Sequence, residues 1–259
     1  RLQGRLRSGR IPLSANLFLA DPGSLDGLEP GAVVEVGGAE GHHAVSVVRL
    51  ALGESVYVGD GDGTRALAEV VGVERSLLRA RVVSVETEPA AAAAYTLVQA
   101  LAKGDRDEQA IEAATELGVD RIVPWQAARS VVQWRAERAE RGRRKWESVV
   151  VAASKQSRRF RVPQVSELAR SRDVEGLLAG AALGIVLHEE ARMPLARLEL
   201  PADGDIVVVV GPEGGISPAE LTAFETAGAV AVRLGREVLR SGSAGPAALA
   251  ALNTLSRWR

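Results

Sequence analysis

The sequence predicts a small β module followed by an α/β domain with a mainly parallel sheet. Two observations carry this expectation. From residue 17 to 88, short β-rich runs are separated by Gly and Asp turns. Beyond Glu88-Pro89 and the five alanines Ala90 to Ala94, strand-like and helix-like stretches alternate. Such alternation builds parallel sheets covered by helices. A chain of 259 residues, 46% hydrophobic and 25% charged, is long enough for both regions and has globular rather than disordered composition.

In the first region, 33–36, 55–58, 65–73 and 77–85 read as strands, and 42–52 as one short helix ended by Gly53. In the second, 95–102 reads as a strand and 105–117 as a helix, with Asp105 as N-cap, Glu108 at the third position and Gly118 closing it. A strand at 121–125 and a long basic helix over 137–158 follow. The apolar runs 185–188 and 206–210 are of the buried parallel-strand type. A helix over 218–227, a strand over 231–234 and an Ala/Leu-rich helix over 246–258 complete the chain. The expected domains are 14–88 and 93–259.

Composition removes several chemistries. With no cysteine there is no disulfide, thiolate nucleophile or cysteine-ligated metal. The three histidines, His42, His43 and His188, do not suggest a metal site, and none is expected. No apolar run reaches the length of a membrane span. The first ten residues hold four arginines and no acid but lack the apolar stretch of a secretory signal. They read as an RNA contact or a frayed tail, and the missing Met suggests a trimmed start. The expectation is a soluble, cytoplasmic protein.

Net charge is −1, but it is unevenly spread. From residue 129 to 161 there are eleven basic residues and three acidic ones, Glu137, Glu140 and Glu147. This concentration suggests an anionic partner for one face. Trp134, Trp146 and Phe160 lie within it, so the stretch reads either as phosphate contact with base stacking or as a solvated helix face over core rings.

Two glycine clusters invite a nucleotide reading. Gly59-Asp60-Gly61-Asp62-Gly63 leads into a strand rather than a helix, so it reads as a hairpin turn. Gly211-Pro212-Glu213-Gly214-Gly215-Ile216-Ser217-Pro218 leaves the most hydrophobic strand and enters a helix. There Ser217 suits the N-cap, Pro218 the first helical position and Glu220 a capping box. No Lys-Ser/Thr follows, so it is not a phosphate P-loop; it is a ligand loop or a plain tight turn. Leu234-Gly235, Val238-Leu239-Arg240 and Ser241 precede the last helix and should lie on the same sheet edge. His188, at a strand end, reads as a packing residue or a ligand contact.

Taken in order, these loops resemble the signatures of the RsmE family. Val209-Val210-Gly211-Pro212-Glu213-Gly214-Gly215, Leu234-Gly235 and Val238-Leu239-Arg240 carry the resemblance. Lys103-Gly104-Asp105 with Thr115-Glu116-Leu117-Gly118-Val119, and Ala152-Ala153 with Gln156-Ser157-Arg158, extend it. The resemblance implies a SPOUT-type α/β domain with a trefoil knot behind a PUA-like RNA-binding β-barrel. It implies a homodimer that uses S-adenosylmethionine (AdoMet) to methylate N3 of a uridine in the decoding region of 16S rRNA in the small ribosomal subunit.

On this resemblance the cofactor pocket comprises Leu187, His188, Gly211, Pro212, Glu213, Gly214, Gly215, Leu234, Gly235, Val238, Leu239, Arg240 and Ser241. Arg240 is the expected catalytic residue, stabilising negative charge on the uracil oxygens. Arg143, Arg144, Lys155, Gln156, Arg158 and Arg159 are the expected RNA contacts. No base stands out; solvent, Glu213 and His188 are the candidates. The chain departs from the family pattern at Ser241-Gly242-Ser243, where Thr-Glu-Thr is common, and at Asn16-Leu17 before Phe18, where the family has Arg-Phe. A catalytically weak RNA-binding or ribosome-assembly protein, a nucleotide-dependent α/β enzyme and a knotted tRNA enzyme are the alternatives.

Overall fold

The computed structural model describes residues 15–135 and 137–259; the arginine-rich start lies outside the described residues. The chain forms two compact units. One holds the residues up to Pro89 together with Arg158–Arg161, the other Ala90–Ser157 and Val162–Arg259.

The first unit contains β1 (Leu17–Leu19), β2 (Val33–Val36), α1 (Gly38–His42), β3 (Ser55–Gly59), β4 (Thr64–Glu74) and β5 (Leu77–Thr87). Its sheet runs β1-β3-β4-β5-β2, parallel only between β1 and β3. Period-two alternation sends Ala66, Ala68 and Val70 of β4 and Leu78, Ala80 and Val82 of β5 into one core with Phe18, Val34, Val56 and Val58. The Gly59 to Gly63 cluster is the β3–β4 hairpin turn, closed by Asp60, whose Oδ1 accepts from the N–H groups of Asp62 and Thr64. The helix expected over 42–52 is instead α1 followed by a wider π-turn at His43–Val48. Arg49 reverses the chain in the left-handed region (φ 60), four residues before Gly53, which lets Leu50 enter the core.

The segment Arg158–Arg161 belongs to this unit for identifiable reasons. The Gly63 N–H donates to the Phe160 carbonyl at 3.1 Å. Arg161 pairs with Asp62 at 2.7 Å and donates to the Glu88 carbonyl at 3.1 Å. The Arg65 guanidinium lies 3.9 Å from the Phe160 ring centre and 4.6 Å from that of Tyr57, while pairing with Glu86 at 2.9 Å. Phe160 is thus held as a cation–π partner of Arg65.

The second unit contains β6 (Ala93–Ala100), α2 (Arg106–Glu116), β7 (Arg121–Gln126), α3 (Glu137–Gln156), β8 (Gln164–Val165), β9 (Ala169–Arg170) and α4 (Ser171–Gly180). It continues with β10 (Leu183–Leu187), β11 (Met193–Pro194), β12 (Gly204–Val210), α5 (Pro218–Thr226), β13 (Val230–Arg233) and α6 (Ser241–Leu255). Its eight strands run β11-β13-β10-β12-β6-β7-β8, with β9 also on β7, and every pairing is parallel. Ile206, Val208 and Val210 of β12 face the core shared with α2, α3 and α6, whereas Val207 and Val209 face α4 and α5. Burial on both faces explains the uninterrupted apolar runs. Trp134 and Trp146 are both buried, edge to face at 5.3 Å, so the core reading of these rings holds and the stacking reading does not.

Three helix ends differ from expectation. Helix α3 stops at Gln156 because Arg158 turns left-handed (φ 54) as the chain leaves for the first unit. At α2, Asp105 is left-handed (φ 50) and its side chain makes no capping bond. Buried Asp107 instead accepts from the N–H groups of Ala102 and Glu108, and Glu108 pairs with Lys145. Burial pushes the Asp107 carboxyl above its ordinary range. Helix α6 begins at Ser241, five residues before Pro246. The small residues read as a loop are a close helix contact: a Cβ at Gly245 would lie 3.1 Å from Leu97, and one at Gly242 would lie 2.9 Å from the Arg106 carbonyl oxygen.

Candidate active site

The C-terminal ends of β10, β12 and β13 open onto a cavity of about 310 Å³ with a recess of about 80 Å³ beside it. Parallel α/β sheets place ligands at this edge, and the main cavity is at the small end of the usual ligand-site range of about 300–1,000 Å³. Three loops build the walls. After β10 come Leu187 and His188; after β12 the loop from Gly211 to Ile216; after β13 the loop from Leu234 to Ser241.

The structure gathers most of the expected cofactor residues here. Leu187, His188, Gly211, Pro212, Glu213, Gly215, Val238, Leu239, Arg240 and Ser241 line the larger space, and Leu234 and Gly235 line the recess. Gly214 lines neither. Its role is close packing: a Cβ there would lie 3.1 Å from Arg129, whose guanidinium donates to the Gly214 carbonyl at 3.2 Å. Gly215 is left-handed (φ 72), and its N–H donates to the Pro212 carbonyl at 2.9 Å, closing the turn.

Buried Glu220 fixes this loop from behind. Its carboxylate accepts from the N–H and hydroxyl of Ser217, the Ala128 N–H and the Ser171 hydroxyl at 2.7–3.0 Å. Ser217 caps α5 in return, completing the expected capping box. Burial pushes the Glu220 pKa up, but the bonds from Ser171, Ala128 and Ser217 outweigh it and hold the carboxyl below its ordinary range.

Two groups at the cavity lack the surroundings their chemistry favours. The Ser241 hydroxyl is buried without a hydrogen-bond partner, and Val238 is 74% exposed despite being apolar. A bound group with polar and apolar parts would satisfy both. Among the described residues, no carboxylate pairs with the exposed Arg240 guanidinium, which lines the same space.

Neither side chain considered as a base is well placed. His188 Nδ1 accepts from the Glu190 N–H at 3.2 Å, which puts the proton of the neutral ring on Nε2. Glu213 Oε1 accepts from the Lys103 N–H and the Arg106 guanidinium, each at 3.2 Å. Sequence reasoning missed Arg106, although it directly follows Lys103-Gly104-Asp105 and opens α2 onto the cavity.

The cations of α3 are arranged differently. Arg143 pairs with Glu140 and Glu147, Arg144 with Glu140, and Lys145 with Glu108 and Asp105. Lys155 and Gln156 end the helix, whereas Arg158 and Arg159 lie in the first unit. No group of three His, Asp or Glu gathers as metal ligands among the described residues, and no helix there is long and apolar enough to cross a membrane.

The fold and its loops define an RNA methyltransferase of the SPOUT type behind a PUA domain. Residues 89–253 match the model of an RNA methyltransferase domain, and residues 36–83 that of an RNA methyltransferase PUA domain. The chain is 46% identical over 236 residues to the ribosomal RNA small subunit methyltransferase E of Mycobacterium bovis, covering 89% of this chain and 90% of that protein. It is similar in structure to the Neisseria gonorrhoeae methyltransferase E bound to S-adenosyl methionine, with TM-score 0.81, 28% identity and coverage of 93% and 98%. A Legionella pneumophila methyltransferase solved with bound SAM gives TM-score 0.81, 25% identity and coverage of 94% and 98%. The chain belongs to the ribosomal RNA small subunit methyltransferase E (RsmE) family.

Proposed function

We infer that this chain methylates 16S rRNA of the small ribosomal subunit with AdoMet as donor, at N3 of a uridine in the decoding region. The observation that supports it most is the cavity at the strand ends, with its orphaned Ser241 hydroxyl, exposed Val238 and an Arg240 that has no carboxylate partner among the described residues. These features fit AdoMet. Backbone groups of the Gly211 to Gly215 and Leu234 to Leu239 loops would hold the adenine, Leu187, Val210, Ile216 and Leu239 would cover its faces, and Ser241 would bond a polar atom. When bound, the cofactor supplies a methyl group activated on a positively charged sulfur.

The protein's part is then positioning and charge. As the N3 proton leaves, negative charge develops on the uracil oxygens, and the Arg240 guanidinium stabilises it. The proton goes to solvent, since His188 Nδ1 already accepts from the Glu190 N–H and Glu213 Oε1 from the Lys103 N–H. The working protein is a cytoplasmic homodimer, with 14–88 as its RNA-binding module and 93–259 as the catalytic and dimerising domain. Calorimetric titration with AdoMet tests the site: saturation near one site per chain is expected, and no binding in the presence of RNA would overturn the reading.

A second reading, RNA binding with weak catalysis on the same fold, draws on Gly242. A Cβ there would press on the Arg106 carbonyl at 2.9 Å, so the glutamate common at this place in the family has no room here. RNA binding without methyl transfer would favour it.

A further inference from the structure

We propose that Arg106 is an RNA-phosphate contact at the mouth of the cavity, held in the free protein by Glu213 acting as a substitute anion. The proposal rests on the reading of the chain as an RNA methyltransferase. Three observations lead to it. Arg106 opens α2 and lines the same cavity as Arg240, so a nucleotide placed for Arg240 brings its own backbone close to this helix end. The Arg106–Glu213 pair is loose: a single contact of 3.2 Å between side chains 45% and 28% exposed. A pair of this kind holds its closed form by about fivefold at most, so a phosphate can displace it. Exposed Arg129 grips the neighbouring Gly214 carbonyl, so Arg106 and Arg129 both hold the Gly211 to Gly215 loop, while Arg240 lines the cavity that this loop walls. Cations at a cavity mouth and on the loop behind it suit a chain of phosphates better than the single carboxylate of a cofactor.

In this arrangement Glu213 does two things. It orients Arg106 before RNA arrives, with the Lys103 N–H fixing the carboxylate from the other side. It also keeps the cation from holding stray anions, because a competitor must displace a partner already in place.

The test is RNA binding without AdoMet, using a transcribed 16S rRNA fragment covering the decoding region, with AdoMet affinity measured separately by calorimetry. Arg106→Ala should weaken RNA binding about tenfold. It should lower the slope of log affinity against log salt by about 0.7–0.9, the share of one phosphate, and leave AdoMet affinity unchanged. Glu213→Gln should tighten RNA binding about two- to fivefold, and this gain should vanish when Arg106 is already alanine. Arg106→Gln controls for packing, since it keeps the stem and loses the charge. The proposal is overturned if either Arg106 variant leaves the salt slope unchanged, if AdoMet affinity falls instead, or if the Glu213→Gln gain persists without Arg106. Methyl transfer by the unaltered protein with an unchanged slope in the Arg106 variants would remove this proposal alone; no RNA binding by the unaltered protein would remove both.

Discussion

Helix α3 and the cavity mouth both carry clustered cations, yet they use them differently. On α3 the charge is dense and answered at its centre, where Glu140 serves Arg143 and Arg144, Glu147 serves Arg143 and Glu108 serves Lys145. Exposed Arg138 and Arg141, by contrast, have no carboxylate partner among the described residues. At the mouth the charge is sparse but available: Arg240 has no carboxylate partner among the described residues, and Arg106 has one loose one. The local excess from residue 129 to 161 therefore overstates the positive surface of α3. Availability is decided by acids three and four residues away on the helix and across from it, not by composition.

The sharpest way to break this contrast is Arg240→Ala. Loss of a charge-stabilising donor should lower kcat about 10²–10³-fold while AdoMet affinity falls much less. Equal loss of both, read by single-turnover kinetics and calorimetry, would make Arg240 a binding residue only. Next is the wall behind the mouth. Glu220→Gln turns an amide donor toward at least one of the donors the carboxylate now accepts, at an expected cost of about 1–3 kcal/mol in denaturant unfolding. The native Glu220 pKa lies below its unfolded value, so its stabilisation is complete above the ordinary carboxylate range and is lost as pH falls through the lowered native value. The variant should lose that part of the acid-side decline.

Smaller effects belong to α3. Neutralising Arg143, Arg144 and Arg158 together should flatten the salt dependence of RNA binding, and an unchanged slope would make α3 a solvated face. Glu140→Gln should have the smallest effect and the opposite sign. By releasing Arg144, and loosening Arg143 that Glu147 still holds, it should steepen the slope by a fraction of one phosphate equivalent, and no change would mean these cations do not meet RNA.

What was legible in the sequence was local. Ser217-Pro218 with Glu220, Gly118 after α2 and the Asp-Gly turn after β3 carry their conformations in short-range chemistry, and each stands where that chemistry puts it. The clustering of the strand-end loops followed from topology, because consecutive parallel strands bring their C-terminal ends to one edge. What was not legible depended on distant partners. Helix α6 starts before Pro246 because Gly242 and Gly245 let it pack on Arg106 and Leu97, a contact no local propensity encodes. The four residues from Arg158 leave α3 for Asp62, Gly63 and Arg65, about a hundred positions earlier. Arg106 was overlooked because its meaning lies in facing Glu213 across 107 positions.

The most direct test of the central claim is transfer of isotope-labelled methyl from AdoMet to small ribosomal subunits lacking the modification, followed by nucleoside analysis of the 16S rRNA. The predicted result is label in N3-methyluridine from one decoding-region fragment, formed about 10²–10³-fold more slowly by Arg240→Ala. Binding of AdoMet and RNA with no label in the RNA, or label on another base or position, would contradict the account.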